Sequence, residues 1–194
     1  MGIILASQSP RRRELLTTLG LEFTVASGAE LDEARVLDEA TGDLVEKLKH
    51  LAALKGEAIA REHPEDVVIS ADTVVEIDGD LLGKPADVIE AKAMLTRLSG
   101  RAHRVHTAVA VRHESGGFFQ AGVETTRVTF DLLDSETIAR YIARAEPFDK
   151  AGAYAIQGLG ALLVRRIEGD YSNVVGLPLP LTARLLTAAG VVVL

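Results

Sequence analysis

The sequence predicts an α/β protein, and three observations carry that expectation. Short runs rich in β-branched residues alternate with stretches whose apolar residues recur at helical spacing. The 194 residues show no break in composition, which fits one domain over 1–194, as a single unit or as two lobes, large enough to bury a substantial core. Hydrophobic residues make up 47% and charged residues 25%, close to the globular average.

Ile3 to Ala6 reads as a short buried strand, and Pro10 to Leu19 as a helix. Ser9 is a favourable N-cap, Pro10 suits the first helical position and Gly20 suits the stop. The stretch "SPRRRELL" therefore sets Arg11, Arg12 and Arg13 in a first turn that free N–H groups and the helix dipole already make partly positive. Cations there cost stability, and an anion is favoured. On the helical wheel Leu15, Leu16 and Leu19 share a face, Arg11 and Arg12 fall at its edges or within it, and Arg13 points away. Either the first two arginines line an anion cleft, or all three are solvated and pair with Glu14 or distant acids.

Asp43 to Arg61 reads as a helix with the stripe Leu44, Leu48, Leu51, Ile59, and Lys55 falls within that stripe. A lysine so placed either snorkels to the rim or aims its ammonium at a buried anion. Next, "DVVISADTVVEIDGDLLGKP" reads as strands about a tight Asp78-Gly79 turn. Counting outward from that turn brings Lys84 level with Thr73, beside Asp72. Asp72 lies among Val67, Val68, Ile69, Val74 and Val75, where burial is costly unless a cation, a metal or several donors meet it. That setting favours a functional carboxylate over a turn cap.

A helix is expected over Val88 to Leu98 with Val88, Ala91, Leu95 and Leu98 on one face, then strands near Val105 to Arg112 and Val123 to Phe130. Asp134 or Ser135 caps a further helix through Ala143. The glycine-rich run from Glu146 to Leu181 reads as a loop able to wall a ligand, before a last helix over Pro180 to Ala189 and an apolar tail from Val191 to Leu194.

Several function classes are disfavoured. A formal charge of −7 argues against broad binding to a nucleic-acid polymer, so an anionic ligand needs a local basic pocket, helped by a metal. No apolar run is long enough to span a bilayer and no secretory signal is evident, so a soluble protein without membrane association is expected. Cysteine is absent, which excludes disulfides and thiol catalysis and fits a cytoplasmic location. The chain has no G-x-x-x-x-G-K-[ST] loop, no complete dinucleotide fingerprint and no G-x-S-x-G elbow. His103 and His106 lack a spaced third ligand and read as ordinary strand or surface residues.

Six segments in order, "LASQSPRRRELL", "SADTVV", "LGKP", "LSGRAHRVHTAV", "EPFDKAGAYAIQGLGALLV" and "GDYSNVVGLPL", together resemble the Maf family of nucleoside triphosphate pyrophosphatases, from Ile3 to about Leu186. The resemblance implies a central mixed sheet flanked by helices, a nucleotide cleft and an inosine-triphosphatase-like architecture. It also implies hydrolysis of a nucleoside triphosphate to the monophosphate and pyrophosphate with a divalent metal, Mg²⁺ or alternatively Mn²⁺ or Co²⁺. Ser7, Arg11 and Arg12 match the N-terminal motif, and Lys55 matches the second-helix lysine, although Gly56 stands where alanine is usual. Asp72 matches the general base, Lys84 the G-K-P lysine, and Asp149 with Lys150 the "DKAG" motif. Glu33 resembles the acidic loop and, with Asp72, is the implied metal pair.

"SPRR" and "AYAIQG" resemble the branch acting on dTTP and UTP rather than the one acting on 7-methyl-GTP, with Arg11, Thr73 and Gln157 at positions tied to base choice and His106 where a smaller or apolar residue is common. An amide offers a donor and an acceptor to a pyrimidine edge. A noncatalytic nucleotide sensor linked to cell division would keep the arginines without requiring Asp72, and a structural interaction protein would require neither. A homodimer is the family's expectation.

Overall fold

The computed structural model describes residues 1–145 and 147–193; Glu146, which opens the "EPFDKAG" motif, and Leu194, which ends the expected apolar tail, lie outside the described residues. The elements begin β1 (Ile3–Ala6), α1 (Pro10–Thr17), β2 (Thr24–Ala26), α2 (Glu33–Glu39), α3 (Leu44–Glu62), β3 (Val67–Ile77) and β4 (Asp80–Leu82). They continue with α4 (Val88–Leu98), β5 (Ala102–His113), β6 (Phe118–Phe130), α5 (Ser135–Ala145), β7 (Val164–Glu168), α6 (Tyr171–Val175) and α7 (Leu179–Ala188). The strands form a mixed seven-stranded sheet in the order β2-β1-β3-β5-β6-β7, with β4 paired to β3. Pairing is parallel for β1 with β2 and β3, and antiparallel for β3 with β4 and β6 with β7.

The chain forms two compact units, one of Met1–Asp72, Thr107–Glu124 and Gly176–Leu194, the other of Thr73–His106 and Thr125–Val175. In the first, side chains alternate across the strands. Leu5, Val67, Ile69 and Ala71 meet Leu16 of α1 and Leu185 and Leu186 of α7. Ile4, Ala6 and Val68 face the other way, onto Ile59 and Ala60 of α3. Both faces are covered, so β1 and the start of β3 read as unbroken apolar runs.

In the second unit, Val75, Ile77 and Leu82 pack with Leu95 and Leu98 of α4, Phe130 of β6 and Ile138, Tyr141 and Ile142 of α5. The β3–β4 hairpin turns on Asp78 and Gly79 at φ of 57° and 86°, as a two-residue turn with left-handed backbone requires. Arg101 and Arg97 brace it, with Arg101 Nη2 2.7 Å from Asp78 Oδ1 and Arg97 Nη2 2.7 Å from Asp80 Oδ2.

Expected and observed bounds agree for β1 and α4 and differ by one residue at the ends of α3 and α7. The first helix stops at Thr17 and its last expected residues form a turn into Gly20 at φ 70°. Val88 was expected on the buried face of α4 but is 56% exposed, and Met94 takes the place at the core. The run expected as one loop contains β7 and α6, because its glycines at 152, 158, 169 and 176 adopt positive φ and punctuate a series of short elements. Among the described residues no helix is long and apolar enough to cross a membrane.

Leu16 and Phe130 are 0% and 1% exposed, so Leu16→Ala and Phe130→Ala are each expected to lower the unfolding free energy by about 2–5 kcal/mol. Exposed Arg13→Ala is expected to change it by about 0.5 kcal/mol or less. Urea unfolding of the three variants at neutral pH checks the ranking.

Candidate active site

Alternation along β3 puts Val68, Ser70 and Asp72 on the face covered by α3. Asp72 is 3% exposed, and its Oδ1 accepts a hydrogen bond from the Lys55 ammonium. The same ammonium donates to Glu33 Oε1 at 2.7 Å. Lys55 lies four residues from Leu51 and from Ile59, which are both buried, so its stem follows the apolar stripe of α3 while its head reaches the strand. Of the two fates open to a lysine in that stripe, the structure shows the buried-anion one, and the anion is the chain's own Asp72. Asp72 Oδ2 is buried without a hydrogen-bond partner among the described residues.

Two backbone features hold Lys55 in place. Its carbonyl accepts from Ala29 N at 3.1 Å. A Cβ on Gly28 would lie 3.0 Å from both Ala6 O and Lys55 O, so glycine allows this loop to lie against α3. Glu33, expected in an acidic loop, instead opens α2, where Asp32 caps the helix by accepting from Arg35 N at 3.1 Å.

At the N-terminus of α1, Ser9 caps the helix as expected, its Oγ 3.5 Å from Arg12 N. Arg12 Nε donates to Gly176 O at 2.8 Å and Nη1 to Ser7 Oγ at 3.4 Å. Arg11 and Arg12 are half-buried and Arg13 is exposed, as the helical wheel implies. Burial lowers the Arg12 pKa; Asp72 and Glu33 oppose that shift and Arg11 adds to it. A guanidinium keeps its charge in such a setting.

The structure thus brings Ser7, Arg12, Glu33, Lys55 and Asp72 into one group, with Arg11 alongside, and its three cations outnumber its two carboxylates. That surplus at a helix N-terminus suits a polyanion. Among the described residues no three or more His, Cys, Asp or Glu side chains gather as a metal site. Glu33 and Asp72 nevertheless fit a hard, largely hydrated cation, since such an ion needs only one or two protein carboxylates and Asp72 Oδ2 is a buried acceptor lacking a partner among the described residues.

The other candidates belong to the second unit. Thr73 is half-buried on β3. The hairpin has the register counted from the turn, Ile77↔Asp80 to Val75↔Leu82, but strand pairing ends there, so Lys84 lies exposed beyond the ladder, and Gly83 O accepts from Gly152 N at 2.9 Å. Asp149 ends a 3-10 turn (Pro147–Asp149), and its carboxylate contacts the Lys150 ammonium. Gln157 is exposed just before another such turn (Gly158–Leu163).

Between these two turns Tyr154 is buried edge-on against Phe130 and His103, and its hydroxyl lies 2.7 Å from His103 Nε2. Tyr141 OH accepts from Ala155 N at 3.2 Å. Both histidines are buried strand residues, not surface ones: His106 Nδ1 lies 2.9 Å from Thr125 Oγ1, and burial lowers the His106 pKa against the opposing pull of Glu76.

Sequence reasoning did not single out Gly176, whose carbonyl orients Arg12, or the His103–Tyr154 pair that anchors the loop bearing Gln157. Each lay within a quoted motif, but each acts through a partner remote in sequence.

A protein-family model described as Maf-like protein matches residues 2–189. The chain is 48% identical over 189 residues to a dTTP/UTP pyrophosphatase of Deinococcus radiodurans, covering 97% of this chain and 93% of that protein. It is 51% identical over 190 residues to a dTTP/UTP pyrophosphatase of Myxococcus xanthus, covering 97% and 92%. A third relative of that description, from Bacillus velezensis, is 50% identical over 186 residues, covering 95% and 94%.

Burial holds the His103 pKa at about 4, below its ordinary 6.5. Between these values the unfolded chain binds a proton that the folded one refuses, so stability is fully present above about pH 6.5 and falls as pH drops towards 4, by about 3 kcal/mol in all. Urea unfolding of the protein and of His103→Gln across that range checks this, and the variant is expected to lose that part of the pH dependence.

Proposed function

The chain belongs to the Maf family, and on that premise we propose that it hydrolyses dTTP and UTP to the nucleoside monophosphate and pyrophosphate. The observation that carries the chemistry is Asp72: a buried carboxylate with one oxygen on the Lys55 ammonium and the other without a partner among the described residues.

Cleavage between the α and β phosphates needs an activated water, neutralisation of a polyanion and support for departing pyrophosphate. Asp72 accepts the proton of the attacking water. Lys55 holds that carboxylate in place, Arg12 offers phosphate oxygens a bidentate partner, and Arg11 and the α1 N–H groups add positive potential. Ser7 steadies the Arg12 guanidinium. Glu33 and Asp72 are the residues that would hold a divalent cation such as Mg²⁺, which when bound neutralises and polarises phosphate oxygens.

Motif resemblance supports the roles given to residues of the second unit: Lys84 as a catalytic cation that counters phosphate charge, Asp149 and Lys150 as substrate contacts, and Thr73 and Gln157, with Arg11, in choice of base. Resemblance likewise supports action as a single Maf-like domain and as a homodimer. The absence of cysteine supports a cytoplasmic setting.

Asp72→Asn keeps the side chain's shape and removes the base, so kcat for UTP is expected to fall about 10²–10⁴-fold in a variant that still folds, with a lowered thermal midpoint because the Lys55 ammonium loses its charge partner. Excess chelator should abolish activity and added Mg²⁺ restore it. Pyrophosphate release beside thermal unfolding checks both; near-normal turnover of the folded variant sinks the assignment of Asp72.

Gln157→Glu replaces a donor by an acceptor and adds charge, so it is expected to lower kcat/KM for UTP and dTTP more than for other triphosphates. The ratios of specificity constants across a panel including 7-methyl-GTP check this, and unchanged ratios remove Gln157 as the reader of the base.

A further inference from the structure

Close to the contact of Lys55 with Asp72, α3 comes very near β3. Ser70, 2% exposed and two residues before Asp72 on the same strand face, donates its hydroxyl to Ala52 O at 2.6 Å. One helical turn beyond Ala52 is Gly56, the neighbour of Lys55. A Cβ built on Gly56 would lie 2.7 Å from Ser70 Oγ and 2.9 Å from Ser70 Cβ, closer than real side chains approach, with Val68 Cγ1 at 3.5 Å.

Gly56 is absent from the positive-φ glycines, so its backbone is open to other residues, and glycine in the interior of a helix is otherwise unfavourable. Its use here is therefore steric. Rotation of the Ser70 hydroxyl relieves the Oγ contact alone, because strand geometry fixes Ser70 Cβ. Any side chain at 56 must displace the helix.

We propose that Gly56 and Ser70 are a matched positioning pair that sets the approach of α3 to β3 and thereby the contact of Lys55 with Asp72. Neither touches substrate; they act through Lys55, and the inference rests on the catalytic role given above to Lys55 and Asp72. A methyl group at 56 moves the stem of Lys55 away from the strand while leaving every charged side chain present. Removing the serine side chain restores the seat, since a glycine at 70 accepts the methyl that serine rejects.

The test compares the native protein with Gly56→Ala, Ser70→Gly, Gly56→Ala/Ser70→Gly and Gly56→Ala/Ser70→Ala. Three quantities are read: kcat and KM for UTP, and the rate at which an amine-acylating reagent modifies Lys55, followed by mass spectrometry. Gly56→Ala is expected to lower kcat about 10–100-fold, with a smaller change in KM, and to speed Lys55 acylation.

Ser70→Gly alone, which loses the hydrogen bond to Ala52 O but adds no bulk, is expected to change kcat less than Gly56→Ala does, and its combination with Gly56→Ala should bring kcat and the acylation rate back to those of Ser70→Gly. The Ser70→Ala combination should not, because Cβ remains; it also substitutes for Gly56→Ala if that variant does not fold. Native kcat and acylation in Gly56→Ala, or a Ser70→Gly combination no better than Gly56→Ala, overturns the pairing. If the native protein releases no pyrophosphate from UTP, the proposed function fails instead, and the acylation rates alone decide the pairing.

Discussion

The contact between the Lys55 ammonium and the buried Asp72 carboxylate is the constraint around which the first unit is arranged. A carboxylate 3% exposed among valines and isoleucines is tolerable as an anion only with a cation against it. The cation is itself drawn from an apolar stripe and needs a second acceptor, which Glu33 provides. Removing any member leaves a charge with too few partners in a poorly solvated place. The cluster is therefore expensive for folding and suited to chemistry, because it holds a buried carboxylate without consuming both of its oxygens.

The fold meets that constraint through the period of the strand. One set of β3 side chains builds the apolar layer with α1 and α7, while the alternate set, Val68, Ser70 and Asp72, turns from apolar to polar along the strand as it passes beneath α3. The helix matches the change, presenting Ile59 and Ala60 where the strand offers Val68, and Lys55 where it offers Asp72. Gly56 and Ser70 mark the passage from one regime to the other, where contact is closest. Apolar burial supplies the rigidity that the charged end requires.

The second unit uses a different device for its loop. Glycines at positive φ break the backbone into short turns, and buried aromatic groups hold those turns from behind. Tyr154 is packed against Phe130 and His103, and Tyr141 bonds to Ala155, so the exposed Gln157 projects from a segment fixed two and three residues earlier. A neutral His103 suits that purpose, since a charged imidazole in the same place would need a counter-ion.

Local chemistry determined much of this from the sequence alone. The Ser9-Pro10 start of α1, the Asp78-Gly79 turn and the bounds of α4 follow from caps, turn residues and periodicity, each written within a few neighbouring positions. Asp72 and Lys55 stood out because each is a charge in an apolar pattern, and motif resemblance named their neighbours. The short elements β2, α2, β7 and α6 were not legible, since three to seven residues carry too little periodicity to outweigh turn-like composition. Tertiary structure alone decided that Lys55 answers Asp72 rather than solvent, that the Gly176 carbonyl orients Arg12, and that Gly56 must be small because Ser70 lies across from it. Each joins residues at least 14 positions apart, and no local pattern records which distant atom will fill the space beside a side chain.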